Sequence, residues 1–142
     1  MAISFKFYHD AALTQEINLG NPLAATQDVA GALPPVDKII YLGSTIAANK
    51  VQAVSNPGVD PIIVSVVDAA PGSGAPSTEF RLSLSPITGA ETPGAALTLS
   101  HTIIGSTADK VPIYTRRDSI LATAGSYTDV SLQTNSLIET PF

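Results

Sequence analysis

The sequence predicts an all-β, antiparallel sandwich or barrel on three observations. Two runs, IIYL at 39–42 and IIVSVV at 62–67, are the most apolar β-prone stretches in the chain. Val and Ile are stiff at χ1 and suit a pleated, packed surface, so both read as strands. About seven or eight short runs of this kind are spaced along the chain with Gly/Pro turn signals between them. No convincing amphipathic helix interrupts them, which argues against βαβ units.

In chain order, Ile3, Phe5 and Phe7 alternate with Ser4, Lys6 and Tyr8, the period of two that a strand shows when one face is buried. His9-Asp10 opens a loop, and Gln15 to Leu19 reads as a short second strand. Residues 20–35 form a long connection, with room for one helical turn from Leu23 to Val29. Pro34-Pro35 bars helix just before Val36. Asn56-Pro57-Gly58 is turn chemistry, because Pro presets φ and Gly takes the positive φ other residues resist. In 62–67 neither face is polar, as expected of a central strand. Residues 69–78, rich in Gly, Pro, Ala and Ser, read as an exposed, flexible loop. Phe80, Leu82 and Leu84 alternate with Arg81, Ser83 and Ser85. Leu97 and Leu99 and then 102–104 follow, with Gly105 as a stop. Val111 to Thr115 reads as a strand containing Pro112, which predicts an edge position or a bulge. Tyr127 to Leu132 alternates again, and the sequence ends LIETPF. The core expected from these runs is Ile40, Leu42, Ile62, Val64, Val66, Leu82, Leu84, Leu97 and Leu99.

At 142 residues the chain reads as one domain, 1–142, with 20–35 and 69–78 as its long loops. It has no cysteine, so no disulfide, thiolate metal site or thiol nucleophile arises. Charged residues are only 13% of the chain and the net charge is −5. That balance is a poor match for nucleic acid, whose binding depends on Lys and Arg neutralising phosphates. No signal peptide is visible at MAISFKFYHD, and the longest apolar runs are far too short to span a bilayer. The expectation is a chain made in the cytoplasm, with neither nucleic acid nor membrane as partner.

Few residues offer chemistry. His9 lies beside Asp10, and His101 follows Leu99-Ser100. A nucleophilic serine needs an oriented His and an oxyanion loop, and no GxSxG elbow is present. Asp60, Asp68, Asp109, Asp118 and Asp129 stand singly near strand ends, where Asp accepts turn hydrogen bonds, so they read as caps rather than calcium ligands. Gly72-Ser73-Gly74 lacks the Lys-Ser/Thr and following helix of a phosphate loop. The expectation is no catalytic residue, no metal and no cofactor. Arg116-Arg117-Asp118 is the one basic doublet. It reads either as a contact with an acidic patch on a partner, since Arg holds carboxylates bidentately, or as one solvated Arg and one paired with Asp118. With no Trp and all four tyrosines inside strand patterns, an aromatic sugar platform is weakly supported.

The segments IIYLGS at 39–44 and VQAVSNPGVDPIIVSVVDA at 51–69, with the later LSLS, PGAALTL, VPIYTRRD and YTDVSLQTNSLIET, resemble a family of small virion structural proteins of tailed bacteriophages. The resemblance covers most of the chain after Val36. It implies an immunoglobulin-like sandwich without catalytic residues. The implied function is structural, foremost a head decoration or cement protein that stabilises the capsid by subunit contacts. A tail or baseplate component, or a receptor- or glycan-binding module, are the alternatives. The implied partners are the major capsid protein or other virion proteins and further copies of itself, and the implied location is the virion, after synthesis in the host bacterial cytoplasm.

The residues expected to touch partners are Ile3, Phe5 and Phe7 near the start, Arg116 and Arg117, and Ile138 and Phe142 near the end. The alternating apolar side chains of 3–8 need a packed surface, either the home sheet or a neighbour's edge.

Overall fold

The computed structural model describes residues 3–18, 36–68, 77–117 and 130–141. Within them run ten strands: Lys6–Tyr8 (β1), Val36–Gly43 (β2), Asn49–Ala53 (β3), Ile63–Asp68 (β4), Phe80–Ser83 (β5), Leu97–Thr98 (β6), Thr102–Ile104 (β7), Val111–Arg117 (β8), Val130–Thr134 (β9) and Leu137–Pro141 (β10). All pairings are antiparallel, and they form three groups ordered β1-β2-β8-β5, β10-β3-β7 and β6-β4-β9. The fold is therefore an all-β antiparallel sandwich. The connections at 20–35 and 69–76, the start of the expected strand at 127–129, Asp118 and Phe142 lie outside the described residues.

The alternation of the two apolar runs becomes a two-sided sheet. In β2, Ile40 and Leu42 are fully buried while Ile39 is 41% exposed. In β4 and the residue before it, Ile62 and Val64 are fully buried. Strand β4 is central, flanked by β6 and β9, which agrees with its lack of a polar face. One core collects Ile40, Leu42, Leu82 and Ile113 from the first sheet, Val51 and Ile103 from the second, and Ile62, Val64 and Leu99 from the third and its flank. Each such side chain contributes about 1.5–3 kcal/mol when fully buried. Of the expected core, Val66 and Leu97 are partly buried against it. Leu84 is 51% exposed, contrary to expectation. β5 ends at Ser83, where the Ser83 and Ser85 hydroxyls bond and the Ser85 amide donates to Ser83 Oγ, so the alternation stops one residue short.

β8 has β2 and β5 on its two sides, yet Pro112 itself holds the edge position expected of it. Pro112 is tolerated because β5 pairs only as far as Tyr114, so at Pro112 the strand has β2 alone beside it. Strand β3, between the two apolar runs, is not among the strands expected from the sequence. The beginning of the chain folds home: Phe5 is buried, and Ile3 and Phe7 pack against the same core. Residues 15–17 return along β1, with a bridge between Tyr8 and Glu16 and the Ile17 amide donating to the Phe7 carbonyl at 2.9 Å.

The other end is fastened to the same neighbourhood. β10 lies along β3. The Glu139 carboxylate accepts from the Ser4 amide at 3.0 Å, from the Ser4 hydroxyl, and from Asn49 Nδ2 at 3.3 Å. Ser4 Oγ also meets the buried Ser44 Oγ at 2.7 Å. Partial burial opposes the charge on Glu139, but the Ser4 and Asn49 donors outweigh it, so its pKa lies below the ordinary carboxylate value.

Candidate interaction face

Because successive residues of a strand point to opposite faces, the register of the first sheet fixes what lies on its outer side. Tyr8 pairs with Tyr41 and Tyr41 with Pro112, giving one row across three strands. Ile39, Tyr114 and Ser83 form the next row, and Asp37, Arg116 and Arg81 the third. Three of the chain's four tyrosines thus share one face, away from Ile40, Leu42 and Ile113. None is fully buried. Tyr8 is held protonated above its usual range, first by burial and then by Glu16 nearby.

The rim of this face is built by ion pairs and one folded loop. Arg116 grips Asp37 bidentately, Nε to Oδ1 at 2.7 Å and Nη2 to Oδ2 at 2.8 Å. That grip lowers the Asp37 pKa. Lys6 and Glu16 pair at 3.2 Å at the β1 end. Lys110 donates to the Thr107 carbonyl and sits 5.9 Å from the Tyr41 ring centroid, a cation–π distance. Loop 84–96 is shaped by Glu91, whose carboxylate accepts from the Thr88 and Gly89 amides at 2.9 to 3.2 Å and from the Thr88 hydroxyl. The Thr88 amide is the leading cause of its pKa falling to about 2. Arg81 Nε ties the Glu91 carbonyl to β5 at 3.2 Å, and the Gly94 amide bonds the Phe80 carbonyl at 2.7 Å. The loop so fixed raises Pro86 and Ile87 beside the sheet. With Ile39 and Tyr114 they wall an apolar groove of about 280 Å³, edged by Asp37 and Lys38.

The Arg doublet does not act as one patch. Arg116 points outward, whereas Arg117 turns to the core side, where its guanidinium meets the fully buried Glu79 at 3.3 Å and lies 5.5 Å from the Phe80 ring centroid. Among the described residues Arg116 pairs with Asp37 and Arg117 with Glu79, each from a different strand or turn, while Asp118, weighed above as a partner for one of them, lies outside the described residues. Among the other expected contact residues, Phe5 is closed inside its own core, Ile3 and Phe7 are partly buried, and Ile138 is 41% exposed on β10.

The residues considered for chemistry lie apart in local hydrogen bonds. His101 Nδ1 meets the Thr102 hydroxyl at 2.9 Å, and the His9 amide donates to the Gln15 carbonyl. The cap of the short turn at 107–109 is Ser106 rather than Asp109: the Ser106 hydroxyl accepts from the Asp109 amide at 3.2 Å and donates to the Asp109 carboxylate at 2.6 Å. Among the described residues no three His, Asp or Glu side chains gather as a metal site. The tyrosine face is what reading the sequence missed. The residues were visible within strand patterns, but their common side depends on a pairing register that the sequence does not print. Comparison with known proteins gives no match: no family model, no curated protein and no solved structure is similar enough to place this chain.

Proposed function

We propose that this chain is a structural, non-catalytic subunit of a tailed-phage particle, foremost a head decoration or cement protein that works by burying surface against virion partners. The immunoglobulin-like topology and the virion location belong to the same proposal. The observation that carries it is the outer face of the β1-β2-β8-β5 sheet: Tyr8, Tyr41, Ile39, Pro112 and Tyr114 in adjoining rows over a rigid, ion-paired rim. Aromatic and Arg side chains on a preorganised sheet are the usual anchors of protein contacts, because they bring large area at low ordering entropy. The resemblance of segments 39–44 and 51–69 to phage structural proteins supplies the identity of the partner, the major capsid protein. Arg116 and Ile138 remain candidate contacts; Phe5 serves the fold.

The test is incorporation into particles in the phage that encodes the chain. Tyr41→Ala with Tyr114→Ala is expected to fold, by circular dichroism, and to be lost from gradient-purified heads. Wild-type occupancy by the double variant would defeat the proposal. A second reading, glycan or receptor binding, is favoured by the same tyrosines standing beside the Asp37–Arg116 pair, since a fixed carboxylate and guanidinium beside aromatic rings can hold sugar hydroxyls. Binding on a glycan array that disappears with the same substitutions would support it over the cement role.

A further inference from the structure

We propose that Glu139 is a latch where the two ends of the chain meet: charged, its carboxylate clasps residues 3–8 to β10, and neutralised, it lets that segment lift off β2 while the rest of the core stays folded. The two ends belong to different sheets. Residues 3–5 lead into β1, at one end of the first group, and Glu139 sits in β10, at one end of the second. Glu139 lies opposite the fully buried Val51 in the β10–β3 ladder, so its side chain turns to the core side. There Oε2 accepts from the Ser4 amide at 3.0 Å, while Oε1 accepts from the Ser4 hydroxyl and from Asn49 Nδ2 at 3.3 Å. Ser4 Oγ is steadied in turn by the buried Ser44 Oγ at 2.7 Å, which accepts from the Ile46 amide at 3.1 Å.

Among the described residues no cation pairs with Glu139, so the clasp depends on the charge of one carboxylate. The charged groups on the elements packed here are engaged elsewhere. Lys6 pairs with Glu16 at 3.2 Å, and Asp10 accepts from the Thr14 and Gln15 amides. Lys50 shares its ladder row with Thr140 and Ile104, one residue from the Glu139–Val51 row and so on the other face. Hydrogen bonds to an ionised acceptor are roughly twice as strong as neutral ones. A proton on Oε2 displaces the Ser4 amide, and one on Oε1 displaces Asn49 and makes the Ser4 hydroxyl reverse. Burial works against the charge, but the Ser4 and Asn49 donors outweigh it, so the pKa lies below the ordinary carboxylate value. The latch is therefore shut above that ordinary value and opens as pH falls through the lowered one. What it releases is otherwise lightly held. β1 pairs three residues with β2, and beyond them come the Tyr8–Glu16 bridge and the Ile17 amide on the Phe7 carbonyl. Phe5, buried in the core, pulls the segment back, so opening is a local equilibrium rather than unfolding. The inference concerns the chain alone and holds whether or not it belongs to a phage particle.

Amide hydrogen exchange of the full chain between pH 6 and pH 3, each rate divided by the intrinsic one, tests this. In wild type the Lys6 to Tyr8 amides are expected to lose protection about tenfold on going to pH 3, since a hydrogen bond to a charged group sets about one factor of ten. The Ile40 and Ile113 amides are expected to hold theirs. Glu139→Gln is expected to show the lowered β1 protection already at pH 6, with no further fall. Glu16→Gln and Asp10→Asn, which remove the other carboxylates near β1, are expected to keep the fall. Should Glu139→Gln fail to fold, Ser4→Ala replaces it and is expected to lower β1 protection at pH 6 by itself. The latch is overturned by β1 amides that stay protected at pH 3, that lose protection in step with Ile40 and Ile113, or that still respond to pH in Glu139→Gln. A fall abolished by Glu16→Gln or Asp10→Asn, or a Ser4→Ala chain with unchanged β1 protection, overturns it as well.

Discussion

Ile39 and Ile40 are neighbours of identical chemistry on opposite faces of β2, and substituting each by Ala tests the register that creates the tyrosine face. Ile40 is fully buried, so Ile40→Ala removes about three methylene equivalents at about 0.8 kcal/mol each. The space left behind adds a cavity cost of about 24 cal/mol per Å³. Together these place the loss at about 3–4 kcal/mol, inside the 2–5 kcal/mol range for buried Ile→Ala changes. Ile39 is 41% exposed and borders the open groove, so Ile39→Ala loses part of the transfer energy and leaves no sealed cavity. Its cost should be about 1 kcal/mol. Urea unfolding followed by circular dichroism reads both. With a slope of about 1.5–2 kcal/mol/M for a domain of this size, Ile40→Ala should lower the midpoint by about 2 M and Ile39→Ala by about 0.5 M. Equal shifts, or a larger one for Ile39, would mean that β2 turns its other face inward, and the tyrosine rows would lose their basis.

Other outcomes follow from the same structure. Val64→Asp, placing a charge at a fully buried position, should cost several kcal/mol and abolish the cooperative unfolding transition at ordinary temperature. Gly105→Ala should destabilise by about 1–3 kcal/mol in thermal melts, because a β-carbon there would land on the Ile46 carbonyl. The Glu139 carboxyl has a lowered folded pKa, so its contribution is full above the ordinary carboxylate value and is lost as pH falls through the lowered one. Wild type should therefore lose more melting temperature between pH 6 and pH 3 than Glu139→Gln does, and parallel pH profiles would refute that role. Glu91, lowered to about 2, should keep loop 84–96 protected from amide exchange at pH 4, whereas Glu91→Gln should expose the Thr88 and Gly89 amides already at neutral pH.

The all-β class, the central place of 62–67 and most of the core were legible because Ile40, Leu42, Ile62, Val64 and Leu82 combine β-branched or apolar character with a strict period of two. β3 was not, because Asn49-Lys50-Val51-Gln52-Ala53 has only one large apolar residue and is held in place by β7 and β10 from distant sequence. Leu84 shows the opposite error, an alternation continued past the point where Ser83 and Ser85 fold the chain away. The separation of Arg116 from Arg117 follows from the pleat alone and could have been read. Their partners could not, since Asp37 and Glu79 are 79 and 38 residues away. The same holds for the candidate face, whose tyrosines come from β1, β2 and β8.

The proposal that this chain works by assembling into a phage particle is tested most directly by its copy number on gradient-purified particles of a tailed phage whose genome carries its gene, measured by quantitative gel or reconstruction. A cement role predicts hundreds of copies in a fixed ratio to the major capsid protein, falling sharply when Tyr41 and Tyr114 are both replaced by Ala. Particles that form normally while the chain stays at the top of the gradient would contradict it.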